Sequence, residues 1–171
     1  YDNEDFKTLE ILPDTDMANE STLEDFIRYG KDNFQADHRV FIFWDHGGGS
    51  AVGICYDERT GHALSLNDVN KAFANVYGKN PDIPPFEIIG FDACLMATYD
   101  VANSIYGFAK YMVGSEEVEP GNGWNYAWLG TLANNPAMGG ATLGKAICDS
   151  YMDGCRQYRT SDAATLSLID L

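Results

Sequence analysis

The chain has 171 residues, 45% of them apolar, which suits a single domain with a buried core. It carries 26 acidic and 11 basic residues, for a formal net charge of −15. Because binding to nucleic acid depends on clustered Lys and Arg, this composition argues against a nucleic-acid partner. A membrane span is not expected either, since no apolar stretch approaches the roughly 20 residues that cross a bilayer.

Both ends of the chain resemble positions inside a longer protein. The first residue is Tyr1 rather than Met, and the last apolar run stops at Leu171. We therefore expect residues 1–171 to be one domain of a longer precursor, whose remaining segments would be its partners. The four cysteines do not suggest a disulfide framework, since Cys148 and Cys155 would lie about 10 Å apart along a predicted helix.

Helical and strand patterns alternate along the chain. A capping-box pattern at Ser21 precedes a helix predicted to reach about residue 34, and the apolar run 40–44 is typical of a strand buried on both faces. A short strand or hairpin arm is predicted at 52–56, a polar turn at 57–61, and a crossover helix from Ser65 to Gly78. The remaining predictions are a buried strand at 86–91, a helix at 95–106, a strand at 111–114, helices at 124–132 and 142–158, and a last strand from about 165. This order predicts an α/β fold around a largely parallel sheet.

Two reactive residues directly follow the predicted core strands. His46 and three glycines come after the first of them, and Cys94 comes after the strand at 86–91. In open α/β sheets, reactive groups gather beyond the carboxyl ends of the strands, and a right-handed crossover would place these two ends side by side. We therefore expect His46 and Cys94 to be neighbours.

A thiol beside an imidazole is typical of nucleophilic catalysis. His46 would take the proton of Cys94 and later protonate the leaving amine, and the start of a helix directly after Cys94 would further stabilise the thiolate. Gly47 and the backbone N–H of Cys94 are the predicted oxyanion hole. Taken singly, each feature has a plainer explanation: a buried core cysteine, a structural histidine and a glycine turn. The other cysteines, His38 and His62 are interpreted as structural or exposed.

The segments Trp44–Gly49 and Gly90–Met96 closely resemble the paired motifs of the clostripain family of cysteine peptidases. That family shares the caspase-like fold with caspases, legumains and gingipains, so the resemblance implies an αβα sandwich, here truncated at both ends. It extends through Ser115-Glu116-Glu117 and the segment Pro120–Trp124. It implies peptide-bond hydrolysis by a Cys–His dyad, cleavage after Arg or Lys, self-cleavage during maturation, and secretion or display at the cell surface.

The resemblance also implies a pocket for the substrate's basic side chain. Asp92 matches the position of its acidic base, although a helix N-cap or a buried hydrogen-bonding role would explain this residue as well. The other predicted substrate-binding residues are Ser115, Glu116, Asn122 and Trp124. Asn122 supplies no charge where a second acid would help to bind Arg or Lys. Arg59, in the predicted polar turn, is the candidate self-cleavage site.

Two other functions are consistent with the sequence. A peptidase-like module without catalysis would bind basic peptides through Asp92 and its acidic surface. A zinc site of His46, Cys94, Asp45 and Asp92 would use suitable ligands, but their spacing lacks the close pairs of structural zinc motifs. No cofactor is expected for the chemistry. Calcium is a further hypothesis, since Asp14 with Asp16, or Glu116 with Glu117 and Glu119, could supply oxygen ligands.

Overall fold

The structure is a computed structural model and describes residues 8–171. In that range the strands are β1 (Val40–Trp44), β2 (Ile54–Asp57), β3 (His62–Leu64), β4 (Phe86–Asp92), β5 (Ala109–Gly114) and β6 (Ser167–Asp170). The helices are α1 (Glu20–Asn33), α2 (Gly49–Val52), α3 (Leu66–Tyr77), α4 (Tyr99–Ile105), α5 (Trp128–Asn134) and α6 (Gly140–Tyr158). Apart from the β2–β3 hairpin and the consecutive helices α5 and α6, strands and helices alternate, and α2 is a short helix that the sequence pattern does not predict.

Four strands form the central sheet in the order β1-β4-β5-β6. β1, β4 and β5 run parallel, whereas β6 returns antiparallel to β5. β2 and β3 form a separate antiparallel hairpin, and the predicted polar turn connects them. The prediction of an α/β fold with a largely parallel sheet is therefore confirmed.

Helices cover both faces of this sheet. On one face, α1, α3 and α4 contribute to a core centred on Phe73, Phe91 and Phe108, each at most 1% exposed. On the other face, α5 and α6 pack on Ile88 and Val113, with Ile147 and Tyr151 of α6 fully buried. The result is a three-layer αβα arrangement whose parallel strands all end at the same edge.

β1 differs from its prediction. Only Phe43 is buried, whereas Val40, Phe41 and Ile42 are half-buried and Trp44 is exposed. The reason is the strand order, since β1 is the outermost strand of the sheet among the described residues and has β4 as its neighbour on one side. An apolar run predicts a strand well but does not show whether that strand lies at the centre or the edge of its sheet.

Local side-chain caps explain where the helices depart from prediction. α1 begins earlier because Asn19, not Ser21, is its N-cap and accepts the N–H of Ser21. α4 begins at Tyr99 rather than Leu95, since the Thr98 hydroxyl accepts the N–H of Val101. α5 begins at Trp128 rather than 124. The predicted start of α3 at Ser65 is confirmed, since Ser65 and Asp68 bond in both directions as a capping box.

Candidate active site

The register of the central sheet brings the His46 and Cys94 segments together. In the β1–β4 pair, Trp44 lies opposite Asp92. His46 and Cys94 each come two residues after these paired positions, at the carboxyl ends of neighbouring parallel strands. His46 is exposed and Cys94 is half-buried. The predicted neighbourhood of the two segments is therefore confirmed.

Glycine at position 47 allows these two segments to approach closely. A Cβ atom built on Gly47 would lie 2.5 Å from the carbonyl oxygen of Cys94 and 3.0 Å from the Cβ of Ala93. Real Cβ atoms do not approach a backbone oxygen so closely, so a side chain at 47 would force the segments apart. The absence of a side chain at this position is a packing requirement of the site.

The backbone around Cys94 is a turn and not the start of a helix, so the expected contribution of a helix N-terminus is wrong. Leu95 has φ of +62°, in the left-handed region, and α4 starts only at Tyr99. The backbone N–H that contacts the Cys94 Sγ atom is instead that of Glu119, which donates to it at 3.3 Å.

The loop that carries Glu119 is attached to the turn by the main chain. The N–H of Leu95 donates to the carbonyl of Glu117 at 3.0 Å, and the N–H of Ala97 donates to the carbonyl of Ser115 at 2.8 Å. The side chain of Ser115 is fully buried and hydrogen-bonds Glu117 and Thr165. Ser115 thus fixes the shape of the loop beside the nucleophile.

Asp92, the last residue of β4, is 4% exposed and forms a buried cluster with Glu119, which is 9% exposed. Asp92 accepts the N–H of Trp124 at 3.0 Å and the hydroxyl of Tyr126 at 2.9 Å. The indole N–H of Trp124 donates to Glu119 at 3.3 Å. Burial raises the pKa of Asp92, and burial followed by the nearby Asp92 charge raises the pKa of Glu119 to about 8.

The other predicted substrate-binding residues are placed differently from one another. Glu116 is exposed beside the site. The Asn122 amide donates to the carbonyl of Gly123 and accepts from the hydroxyl of Thr160. Trp124 is buried, and its ring packs against Gly90, where a Cβ atom would come within 2.9 Å. Asn122 therefore connects this loop to Thr160, and Trp124 is part of the buried packing around Asp92 and Glu119.

Arg59 lies in the turn of the β2–β3 hairpin. Its guanidinium pairs with the carboxylate of Asp14 and donates to the carbonyl of Thr15 at 2.9 Å. Asp57, beside it, accepts the backbone N–H groups of Arg59 and Thr60. The side chain is about half exposed, so the turn is at the surface, as the sequence predicts.

The acidic groups proposed as calcium ligands are engaged elsewhere. Asp14 pairs with Arg59, Asp16 contacts His62, and Glu119 is directed inward to Asp92. In residues 8–171, no group of three or more His, Cys, Asp or Glu side chains is arranged to hold a metal ion. Calcium binding at these residues stays a prediction, as does zinc binding at His46, Cys94, Asp45 and Asp92.

The sequence model of the clostripain family matches residues 2–171. The chain belongs to the clostripain family. A curated relative, clostripain from Hathewaya histolytica, is 31% identical over 130 residues, which cover 66% of this chain and 24% of that protein. The resemblance carried by the His46 and Cys94 motifs is thus confirmed, and this chain corresponds to only part of the relative.

Solved structures of clostripain-family proteins share the fold. A zymogen C11 protease from Parabacteroides distasonis matches with a TM-score of 0.70 at 24% identity, over 95% of this chain and 42% of that one. A secreted C11 cysteine protease from Bacteroides thetaiotaomicron, bound to an irreversible peptide inhibitor, matches with a TM-score of 0.68 at 20% identity. That match covers 90% of this chain and 45% of that one. The caspase-like αβα fold is confirmed.

Glu119 belongs both to the acidic run offered as calcium ligands and to the loop 119–124, where the rest of the substrate pocket is predicted. Glu116 and Glu117 face solvent, whereas Glu119 is buried beside Asp92. The adjacent Pro120-Gly121 turn was the available signal, since a sharp turn can redirect one residue of an acidic run inward.

Proposed function

We propose that this chain is the part of a cysteine endopeptidase that carries its dyad, Cys94 and His46, and that the enzyme cleaves peptide bonds after Arg or Lys. The observation that supports it best is the register of β1 and β4, which brings both residues to neighbouring strand ends. Membership of the clostripain family supports the reaction class. Peptide or protein chains are the substrates on this proposal.

The proposed reaction proceeds through an acyl-enzyme. His46 takes the Cys94 proton, the sulfur attacks the scissile carbonyl carbon, and the oxygen becomes negatively charged. The N–H groups of Gly47 and Cys94 are the proposed donors to that oxygen. His46 then protonates the leaving amine, and water, deprotonated by His46, hydrolyses the thioester to release the acid and restore the thiol.

The N–H of Glu119 has a specific place in this scheme. It donates to the Cys94 sulfur at 3.3 Å. The same contact holds the sulfur in one position, which helps the attack geometry. No metal ion takes part in any of these steps.

The preference for Arg or Lys depends on the acidic pocket behind Cys94. Asp92 is two residues before the nucleophile and has the carboxyl group of Glu119 beside it, so the two side chains offer carboxyl oxygens to a cation that enters there. The whole chain is strongly acidic, and its field also attracts basic peptides. These charges support a basic residue immediately before the cleaved bond.

Self-cleavage between Arg59 and Thr60 is part of the proposal. Arg59 has the side chain that the acidic pocket would select, and the hairpin turn presents it at the surface. Cleavage there would separate the His46 segment from the Cys94 segment while the sheet holds both in place. The other segments of the precursor would be its natural partners.

Secretion or cell-surface display is also proposed for this protein. It is supported by the Bacteroides thetaiotaomicron relative, which is a secreted protease. Within residues 8–171, no helix is both long enough and apolar enough to cross a membrane.

Hydrolysis of matched reporter peptides tests the function. Peptides ending in Arg, Lys, Asp or Ala are incubated with the wild type and with Cys94→Ala, each with and without added calcium. We expect cleavage after Arg and Lys, lost by a factor of at least about 10³ in Cys94→Ala. Calcium is expected to leave the chemical step unchanged.

Each other result has a definite meaning. Cleavage after Asp or Ala alone would keep the dyad and reject the acidic pocket. An intact, matured protein that binds basic peptides without cleaving them would instead support a binding module built on the same scaffold. That second function is favoured by the acidic pocket, which would serve binding as well as catalysis.

A further inference from the structure

Thr165 is far from Cys94 in sequence but lies beside the loop that contacts the nucleophile. It belongs to the connection between α6 and β6 and is half-buried. Its hydroxyl oxygen is 2.9 Å from the hydroxyl oxygen of Ser115, and the N–H of Glu117 points to it at 3.3 Å. Because Ser115 is fully buried, its hydroxyl must find its partners within the protein. The contact therefore joins a late part of the chain to the loop after β5.

The number of hydroxyl hydrogens fixes the direction of these hydrogen bonds. Ser115 has one hydrogen to donate, and it donates to the carbonyl of Glu117 at 2.9 Å. In the contact between the two hydroxyls, Thr165 is therefore the donor and Ser115 the acceptor. The N–H of Glu117 also donates to the Ser115 oxygen, at 3.2 Å. Thr165, Ser115 and Glu117 thus form one network that begins at the Thr165 hydroxyl.

This network ends on the backbone of the nucleophile. The carbonyl of Glu117 accepts a second hydrogen bond, from the N–H of Leu95 at 3.0 Å. Leu95 directly follows Cys94 and has φ of +62°, a left-handed conformation that leucine rarely adopts. Such a conformation persists only where the surrounding structure holds it. The Glu117 carbonyl holds it here, and Ser115 and Thr165 in turn hold that carbonyl.

The same loop also contacts the reactive atom itself. The N–H of Glu119, two residues beyond the carbonyl that holds Leu95, donates to the Cys94 sulfur at 3.3 Å. A shift of Glu117 would therefore disturb both the backbone beside Cys94 and the contact with its sulfur. A displacement of about 1 Å in a reacting atom can lower a rate on the order of a hundredfold.

We propose that Thr165 is a positioning residue for Cys94, which acts through Ser115 and Glu117 to fix the sulfur in the place from which it attacks. This inference rests on the proposed cysteine-peptidase function and adds a residue to it. Thr165 itself does not touch the substrate. Its effect is therefore on the rate of attack and not on the affinity for the peptide.

Backbone amide exchange tests this positioning without any use of activity. Hydrogen–deuterium exchange of the complete protein is measured by mass spectrometry in peptides from the turn beside the nucleophile. Thr165→Val keeps the size of the side chain and removes its hydroxyl. We expect the amides of Leu95 and Ala97 to exchange about tenfold faster or more in this variant, because the carbonyls that hold them are less well fixed. Thr160→Val removes a hydroxyl from the same connection that contacts Asn122, and it should leave this exchange unchanged.

Hydrolysis of a reporter peptide ending in Arg tests the consequence for catalysis. We expect Thr165→Val to lower kcat about tenfold or more and to keep KM within about twofold, because the sulfur moves whereas Asp92 is fixed by β4. Thr165→Ser restores the hydroxyl and is expected to recover both kcat and slow exchange. Thr22→Val is the control for stability, since it also removes one hydroxyl hydrogen bond, to the carbonyl of Asp16 at 2.8 Å. It should retain the kcat of the wild type.

Several results would overturn the inference. They are parental exchange in Thr165→Val, equally fast exchange in Thr160→Val, a change of kcat and KM together, or no recovery in Thr165→Ser. If Thr165→Val does not fold, Thr165→Ala removes the same hydroxyl without adding a methyl group beside Ser115, and it has the same expected results.

Failure of this inference and failure of the proposed function give different results. Parental exchange in Thr165→Val, with a wild type that cleaves after Arg, would reject the positioning role and leave the peptidase intact. Faster exchange in Thr165→Val, with a wild type that cleaves no peptide, would support the positioning of Cys94 and reject the peptidase.

Discussion

Two regions of this molecule contain the same kinds of residues in opposite physical states. The strand-end cluster consists of Asp92, Cys94 and Glu119. The hairpin cluster consists of Asp16, Cys55, Asp57, Arg59 and His62, around β2 and β3. Each cluster has a thiol and two carboxyl groups. The strand-end cluster lies at the edge of the sheet where the parallel strands end, whereas the hairpin cluster stabilises a turn at the surface.

The carboxyl groups differ in the direction of their pKa shifts. A hydrogen bond from His62 is the main cause that lowers the pKa of Asp16, and the backbone N–H of Thr60 is the main cause that lowers the pKa of Asp57. Burial is instead the main cause that raises the pKa of Asp92 and Glu119. A net charge of −15 therefore says little about any single acid, because burial and hydrogen-bond partners decide its state.

The largest expected contrast is between the two thiols. Burial, and then the charge of Asp45, raises the pKa of Cys55 to about 12 from the ordinary 9.0. Its thiolate fraction at neutral pH is therefore about a thousandfold below that of an unperturbed thiol. We expect limited iodoacetamide at pH 7 to label Cys94 first, as measured by peptide mass spectrometry, while Cys55 stays unlabelled. Preferential labelling of Cys55 would invalidate the contrast.

The next contrast is the effect of pH on stability. Because the pKa of Glu119 is raised to about 8, its contribution to stability is complete below its ordinary pKa and is lost as pH rises toward 8. The lowered pKa of Asp57 gives the opposite sign, since its contribution is complete above its ordinary pKa and is lost as pH falls.

Thermal midpoints measured across pH test both signs. Between about pH 5 and 8 we expect the wild type to lose on the order of 5 °C, and Glu119→Gln to lose much less. Asp57→Asn is the control, because its curve should run parallel to that of the wild type over this range, at a lower midpoint, and approach it only below about pH 4. Parallel wild-type and Glu119→Gln curves between pH 5 and 8 would contradict the predicted state of Glu119.

The smallest expected effect concerns release of Arg59. Its contacts with Asp14 and Thr15 must break before Arg59 can enter an acidic pocket. We expect Asp14→Asn to speed cleavage at Arg59-Thr60 only about two- to fivefold, since exposed ion pairs contribute little. The substrate is the Cys94→Ala protein, incubated with wild-type enzyme and followed by mass spectrometry.

Asp149→Asn removes a different exposed pair, with Lys145 on α6, and is the matched control for that experiment. It should cleave at the parental rate. A mature wild type that is fully active with the Arg59-Thr60 bond intact would reject self-cleavage at this position.

Much of the site could be predicted because its parts lie at strand ends. Short apolar runs predict β1 and β4 well, and parallel crossovers restrict their order, so the proximity of His46 and Cys94 follows from the sequence. The position of β1 at the edge could not be predicted, because its apolar composition resembles that of a central strand.

Details fixed by single side chains were harder to predict. The hydroxyl of Thr98 caps α4 four residues after Cys94, and the continuing apolar pattern gave no sign of the turn between them. For Glu119 the only signal was the Pro120-Gly121 turn that follows it, since the acidic run itself does not show which of its three acids is buried. Such choices depend on tertiary contacts, which local patterns do not contain.

The loop beside Cys94 is held to the nucleophile turn by backbone groups, from Leu95 to Glu117 and from Ala97 to Ser115. Every amino acid except proline supplies these groups, so most substitutions at 116–118 would leave the turn in place. The loop can therefore acquire new side chains, and with them new substrate preferences, while the sulfur keeps its position. Substrate preference can therefore change without a change in the nucleophile, and residues 116–118 are the segment to randomise in an engineering experiment.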